Sequence, residues 1–382
     1  MNKELQITHV VPALTKGGGE RVAVEILNYM VTLRHKATLI LAFPVDPAYL
    51  QYHLKPQVRV IFIAKYSDTK LKRYWLTIPW VIRNKKWLLE QDILHCHLTY
   101  GSFFGLLTWL LKKIYIKKGP AIFETYHSVG MPMPDYMQWI HSRMALSRDA
   151  FVLMAEDSYW KQFIAHHPKL KSTIIQNGAS TNTFDVMKKI SRQKYRKDIG
   201  IPVECEIIIG TIGRLAKERQ PWLYVPIFKE VARLIGPKVH FLLAGDGGEI
   251  DRIRSLIREE GMEKQIHTPG IVINPALIFP ILDLYVTINV GKITGIAAME
   301  AALSGVPVVA IQALEDSDEY RNNWIWSSPN PIEIAKKITA LILNLEEKNC
   351  LANFQKLYAE KNHTTEIMTK SYYKLYCEVL IN

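Results

Sequence analysis

Gly295-Ile296-Ala297-Ala298-Met299-Glu300-Ala301-Ala302-Leu303-Ser304-Gly305-Val306-Pro307-Val308-Val309-Ala310 holds a helix pattern, a glycine turn and a strand pattern in sixteen consecutive residues. Gly295–Leu303 reads as helix and Pro307–Ile311 as strand. Leu284–Ile288 reads as a strand just before them. Strands that are apolar along their whole length, alternating with helices, indicate a parallel sheet covered on both faces.

The same alternation continues outward. Ile207–Thr211 and Val239–Ala244 read as strands, Pro221–Leu234 and Glu249–Glu260 as helices. The first half repeats the series with strands at Ile7–Val11, Ala37–Phe43, Val58–Ala64, Asp92–His97, Ala121–His127, Phe151–Ala155 and Thr173–Gln176. Helix patterns lie at Arg21–Arg34 and Pro79–Glu90. Proline suits the first position of a helix, where its missing N–H has no helical partner to lose. A chain of 382 residues exceeds what one core usually serves. The basic run Lys188–Lys197 separates the two series, so we expect domains at residues 1–185 and 186–361. Two doubly wound domains bind ligands at the carboxyl ends of their strands.

Composition is globular, with 48% hydrophobic and 22% charged residues. The net charge of +12 is uneven: residues 1–185 carry 23 basic and 13 acidic side chains, residues 186–382 carry 25 and 23. This argues against a uniformly basic nucleic-acid binder, and no reading module for nucleic acid is seen. Cys96, Cys205, Cys350 and Cys377 are scattered without a CxxC pair, which favours reduced thiols. Met1–Gln6 has no charged segment leading into an apolar one, so a secretory signal is not expected. The apolar run Phe103–Leu111 is too short to span a bilayer. His95-Cys96-His97 has a metal-like spacing, but no carboxylate or further ligand accompanies it in the sequence.

Three strand–turn–helix units carry glycine. In Thr15-Lys16-Gly17-Gly18-Gly19-Glu20-Arg21-Val22 the amides of a helix start can approach a phosphate. It is not a dinucleotide fingerprint, because Val22 stands where the third glycine belongs, nor a Walker loop. A plain tight turn is the other reading. Ala244-Gly245-Asp246-Gly247 reads as a turn that shapes the backbone. Gly213-Arg214-Leu215-Ala216-Lys217-Glu218-Arg219 clusters cations after a strand, where they can clamp a diphosphate or form a solvated loop.

In this order the pieces resemble the retaining glycosyltransferases of family 4, which have the GT-B fold. The resemblance runs through Gly17–Glu20, the strand-end His97 and His127, and Asn177-Gly178-Ala179-Ser180, similar to the family's NGVD. It continues through Gly213–Arg219, similar to GRLxxxKG, to the opening stretch, similar to GLxxxEAMAxGxPVVA. The resemblance implies two Rossmann-like doubly wound domains facing a central cleft, with the last helix, residues 362–382, returning to the first domain. It implies a nucleoside diphosphate sugar, a UDP-sugar first, held by the second domain, and retention of configuration without metal or cofactor. Glu300 would hold the ribose hydroxyls. Arg214, Arg219 and Lys217, with the amides of Gly17, Gly18 and Gly19, would neutralise the departing diphosphate. His127 would contact the donor sugar near the reacting centre; its other reading is a satisfied strand-end histidine. Lys292, Thr294, Gly295 and Ile296 complete the donor side, and Glu20, His97 and Asn177 the acceptor side.

The chain departs from the family where Lys292 replaces a glutamate eight residues before Glu300. An acidic donor sugar, a solvent-facing lysine and a weakened relative all fit that change. Arg219 stands at the clamp's lysine and keeps its charge, Gln220 replaces glycine, Asn289 a serine and Ser180 an aspartate. Lys70–Trp87 and Trp109–Lys118 interleave cations with tryptophan, a pattern suited to an anionic membrane surface. In the other reading the tryptophans are core. The expectation is a cytoplasmic enzyme, peripheral at the inner face of the plasma membrane, that glycosylates a glycan or lipid-linked acceptor in surface polysaccharide or lipopolysaccharide assembly. Its rivals are a non-catalytic GT-B subunit and a sugar-nucleotide epimerase.

Overall fold

A computed structural model describes residues 4–14, 18–65, 69, 71–115, 118–127, 134–180, 192–272, 277–289, 295–312, 325–327 and 330–381. The chain divides into two compact units, Met1–Asn177 with Glu366–Asn382, and Gly178–Thr365. The division falls before the basic run at which the sequence suggested 185, and Lys188–Ser191 lie outside the described residues.

The first unit holds β1 (Gln6–Val11), β2 (Lys36–Leu41), β3 (Arg59–Phe62), β4 (Ile93–His97), β5 (Ala121–Tyr126), β6 (Ala150–Leu153) and β7 (Ser172–Ile174). They form one sheet of order β3-β2-β1-β4-β5-β6-β7. The second unit holds β8 (Ile207–Ile212), β9 (Val239–Ala244), β10 (Ile266–Gly270), β11 (Leu284–Asn289), β12 (Val308–Gln312) and β13 (Ile325–Ser327), ordered β10-β9-β8-β11-β12-β13. Every pairing is parallel. β4 and β9 are buried along their whole length, and β1 and β5 beyond their first residue, which explains the unbroken apolar runs. In each sheet the order reverses beside the first strand, between β1 and β4 and between β8 and β11. Connections leave in opposite directions there, which opens a crevice at the carboxyl ends.

Two edge strands escape the sequence pattern. β10 reads Ile266-His267-Thr268-Pro269-Gly270 and resembles a turn. Its register shifts between His267 and Gly270, and an edge position tolerates the missing proline N–H. β13 is three residues long on the opposite edge. Pro79 also corrects an expectation. It lies inside helix Lys72–Arg83, and a second short helix, Lys85–Leu89, follows Asn84. The φ fixed by proline is helical, so the helix runs through it and loses one internal hydrogen bond. Pro221 does open its segment, as a short 3-10 turn leading into helix Tyr224–Ile235.

In the second unit, strands and helices meet in two apolar clusters. Phe228, Phe241 and Ile253 fill one face, and Leu242, Met299 and Leu303 the other. The entering chain is tied to the departing one there. The Ala179 N–H donates to the His363 carbonyl at 2.8 Å, and the Thr365 N–H to the Ala179 carbonyl at 2.9 Å. A Cβ on Gly178 would stand 2.3 Å from the Thr364 carbonyl oxygen. This is a physical reason for glycine in Asn177-Gly178-Ala179-Ser180.

The final helix, Thr365–Ile381, packs in the first unit through a polar seam. Buried Tyr372 and Tyr376 reach Thr125 at 3.0 Å and His95 Nδ1 at 2.5 Å, and Tyr376 also reaches His9 Nε2 at 3.0 Å. Burial lowers His9 to a pKa of about 3 and puts His95 and His97 well below the ordinary imidazole value.

Two outcomes follow from this packing. A Cβ on Gly245, whose φ is +137°, would lie 1.8 Å from the Gly213 carbonyl oxygen. Gly245→Ala should destabilise the second unit by about 2 kcal/mol or more in urea unfolding. Gly248→Ala, with nothing near its Cβ, should be close to neutral. The seam histidines are neutral when folded and take up protons when unfolded, so stability should fall as pH drops below about 6.5. For His9 the loss continues to about pH 3, at up to about 1.4 kcal/mol per pH unit, and a flat unfolding midpoint across that window would contradict it.

Candidate functional site

In the first unit most of the candidate site residues gather at the β1/β4 reversal. Paired strands hold His9 beside His95 and His97 beside Thr125. Residues i and i+2 of a strand share a face, so His95 and His97 point to the same side. His127 follows β5 on that side, its Nε2 3.0 Å from His97 Nδ1. The helix Gly18–Thr32 begins against the His127 ring. A Cβ on Gly19 would stand 3.0 Å from His127 Cγ, so glycine lets the helix start approach the imidazole. The positive dipole end of that helix favours an anion. Glu20 is buried in its first turn, and Asn177 is buried beyond β7, three strands from β4. Gly17 lies outside the described residues.

The structure adds His9 to the metal-like pair read from the sequence. His9, His95 and His97 each offer a ligating atom, all within 4.8 Å of one another. Every ring nitrogen of the three nevertheless has a hydrogen-bond partner: Tyr376, Thr125, His127 or another histidine of the trio.

The second unit builds its half at the β8/β11 reversal. β8 and β11 pair only at Leu284–Ile209 and Tyr285–Gly210 and then part. Two tyrosine hydroxyls fill the opening. Tyr285 donates to the Ile212 carbonyl at 3.0 Å, and Tyr224 accepts the Ile288 N–H at 3.0 Å beside Thr211 at 3.2 Å. Arg219 lies close enough to both tyrosines to favour their ionised forms, although burial dominates and raises both. Arg214, Lys217 and Arg219 are exposed on the loop leaving β8. Gln220 turns that loop with a left-handed φ of 48°, a conformation that explains the family's glycine at this place. β11 leads to Gly295, the N-cap of helix Ile296–Leu303, and Glu300 is buried in its second turn. The cations and Glu300 therefore share one end of one sheet. Lys292 and Thr294 lie outside the described residues.

Gly245 and Gly247 hold the β8 loop from beneath. The Gly213 N–H donates to the Ala244 carbonyl and the Leu215 N–H to the Asp246 carbonyl, at 3.0 and 2.9 Å. The sequence did not single out His9, Met154, Tyr224 or Tyr285. His9 carries a trace of signal, a histidine in the first strand in register with another, but register is not readable before the strands are paired.

Residues 16–183 match Glycosyltransferase Family 4, and residues 206–344 match Glycosyl transferases group 1. The chain is 24% identical over 197 residues to a poly(ribitol-phosphate) alpha-N-acetylglucosaminyltransferase of Staphylococcus aureus, covering 48% of this chain and 39% of that one. It is 22% identical over 303 residues to an uncharacterized glycosyltransferase of Methanocaldococcus jannaschii, covering 75% of each. The solved structure of Anabaena HepE in complex with UDP and glucose superposes with a TM-score of 0.76 over 97% of this chain and 99% of that one, at 16% identity. With both halves matched in chain order and two parallel α/β units beneath them, the protein belongs to the group 1, family 4 glycosyltransferases and has the GT-B fold.

Proposed function

We propose that this glycosyltransferase moves a sugar from a nucleoside diphosphate sugar, a UDP-sugar first, to a glycan or lipid-linked acceptor in surface polysaccharide or lipopolysaccharide assembly. Retention of configuration without a metal ion or cofactor is part of the proposal. The carrying observation is that exposed Arg214, Lys217 and Arg219 and buried Glu300 stand at the carboxyl end of one sheet. Cations there neutralise a departing diphosphate, and a carboxylate accepts both hydroxyls of a ribose diol. The Gly18–Gly19 helix start supplies further partial positive charge in the first unit. His127 contacts the donor sugar, and Glu20, His97 and Asn177 belong to the acceptor side. HepE was solved with UDP and glucose, which supports UDP as the first nucleotide to test.

The acceptor proposal rests on charge and exposed apolar groups in the first unit. Helix Lys72–Arg83 exposes Trp75 and Ile82, helix Leu98–Tyr115 exposes Leu110 and Ile114, and helix Asp135–Ala145 exposes Tyr136 and Trp139. Lys85 and Lys113 lie over Tyr115 and Trp109, and Arg143 over Trp139. The apolar share of this surface is smaller than the sequence pattern suggested. Trp80, Trp87 and Trp109 pack against the core, with Trp80 edge-on to Trp87 at 6.2 Å. Lys70 and Lys117 lie outside the described residues. No helix among the described residues is long and apolar enough to cross a membrane. We place the protein in the cytoplasm, peripheral on the inner face of the plasma membrane.

UDP-sugars should raise the melting temperature, and Arg219→Ala should reduce kcat/KM about 100-fold, with Arg219→Lys intermediate. Absence of any shift with UDP-, GDP- and ADP-sugars would count against the donor assignment. Co-sedimentation with anionic vesicles should be strong at low ionic strength, weaken with salt, and drop on Trp75→Ala. Equal recovery with and without vesicles at low salt rejects the membrane surface.

A further inference from the structure

The buried contacts around His127 form one continuous chain. Tyr372 meets Thr125 Oγ1 at 3.0 Å, Thr125 Oγ1 meets His95 Nε2 at 2.8 Å, and His95 Nδ1 meets the Tyr376 hydroxyl at 2.5 Å. The Tyr376 hydroxyl meets His9 Nε2, His9 Nδ1 meets His97 Nε2, and His97 Nδ1 meets His127 Nε2, each at 3.0 Å. The chain ends where His127 Nδ1 lies 3.1 Å from the Met154 sulfur.

The direction of this chain follows from counting protons. Burial lowers His9 to about 3 and His127 to about 4, and holds His95 and His97 below the ordinary range, so all four rings are neutral near pH 7. A neutral imidazole has one N–H and a hydroxyl one O–H, whereas a thioether sulfur has none and only accepts. The last link therefore needs the proton on His127 Nδ1. His127 Nε2 must then accept from His97 Nδ1–H, and His97 Nε2 from His9 Nδ1–H. His9 Nε2 accepts from the Tyr376 hydroxyl, which accepts from His95 Nδ1–H. His95 Nε2 accepts from Thr125, and Thr125 from Tyr372. Each link receives one proton. The reverse order would set the His127 Nδ1 lone pair against sulfur lone pairs.

We propose that Met154 and the Tyr372–Thr125–His95–Tyr376–His9–His97 relay lock His127 in the Nδ1–H tautomer, making it a fixed hydrogen-bond donor and not a proton acceptor. Met154 is a weak partner that a ligand oxygen replaces. Gly19, whose Cβ position lies 3.0 Å from His127 Cγ, leaves room for the helix start and limits how the imidazole turns. His127 then selects an oxygen with a free lone pair on the ligand, a hydroxyl or phosphate oxygen. His97, His9 and Tyr376 are positioning residues that act through it. The lock needs no ligand; that the oxygen belongs to the donor sugar rests on the function proposed above.

The test is nitrogen-15 NMR of the full chain labelled at histidine, at pH 7. His9, His95, His97 and His127 should all show protonated Nδ1 and unprotonated Nε2. An Nε2–H or charged signal from any of the four overturns the relay. Met154→Leu keeps volume and removes the acceptor. It should shift His127 toward a mixture of tautomers with the fold retained, and an unchanged His127 removes Met154 as the pin. Tyr376→Phe should leave His95 and His127 uncoupled, with His95 losing its single tautomer. A pattern that changes when EDTA is added assigns the histidine trio to a metal and overturns the proposal. Adding a UDP-sugar should move the His127 Nδ1 resonance while its tautomer persists. If the free-protein pattern holds and no UDP-sugar moves that resonance, the donor reading fails and the lock stands.

Discussion

Both units depend on a property of parallel sheets. A connection between parallel strands must cross over one face of the sheet, and where successive connections depart in opposite directions the two neighbouring strands lose cover at their carboxyl ends. β1 with β4, and β8 with β11, are those neighbours here. The candidate residues His127 and Glu20 in one unit, and Arg214, Lys217, Arg219 and Glu300 in the other, stand at these openings. The remaining strands and helices hold the openings in shape: buried Tyr285 and Tyr224 bridge one, and the histidines line the other.

The two openings meet a shared problem with different chemistry. Backbone groups exposed where strands part cost free energy unless they find partners. At β8/β11 the tyrosine hydroxyls supply them, which leaves the cations of the following loop exposed to a ligand. At β1/β4 the polar groups are side chains, and they satisfy one another in sequence. A fully satisfied buried network is rigid, whereas one missing member leaves an unpaired group on either side. The last helix belongs to this economy of hydrogen bonds, because its two tyrosines supply links that no residue of the sheet provides.

Much of the plan was legible along the chain. Strand patterns located eleven of the thirteen strands among the described residues, because apolar runs are local and buried strands demand them. The glycine start at Gly18–Gly19 and the cations at Arg214–Arg219 were legible for the same reason, a local turn beside a local charge, whereas Glu300 came only with the family resemblance. β10 and β13 were not, since an edge strand needs neither continuous apolarity nor every N–H. Trp80 and Trp87 could be read as surface or as core, with surface favoured, until the helices Lys72–Arg83 and Lys85–Leu89 had a sheet to pack on.

The sequence by itself determined a two-unit parallel α/β chain resembling the family 4 glycosyltransferases, with its glycine helix start and its run of cations as candidate site residues. Only the tertiary structure decided that His9, His95, His97, His127 and Tyr376 form one hydrogen-bonded line. Their neighbours are 30 to 367 residues away in the chain. Strand register and the return of the last helix bring them together, and neither is written in the spacing of any single segment.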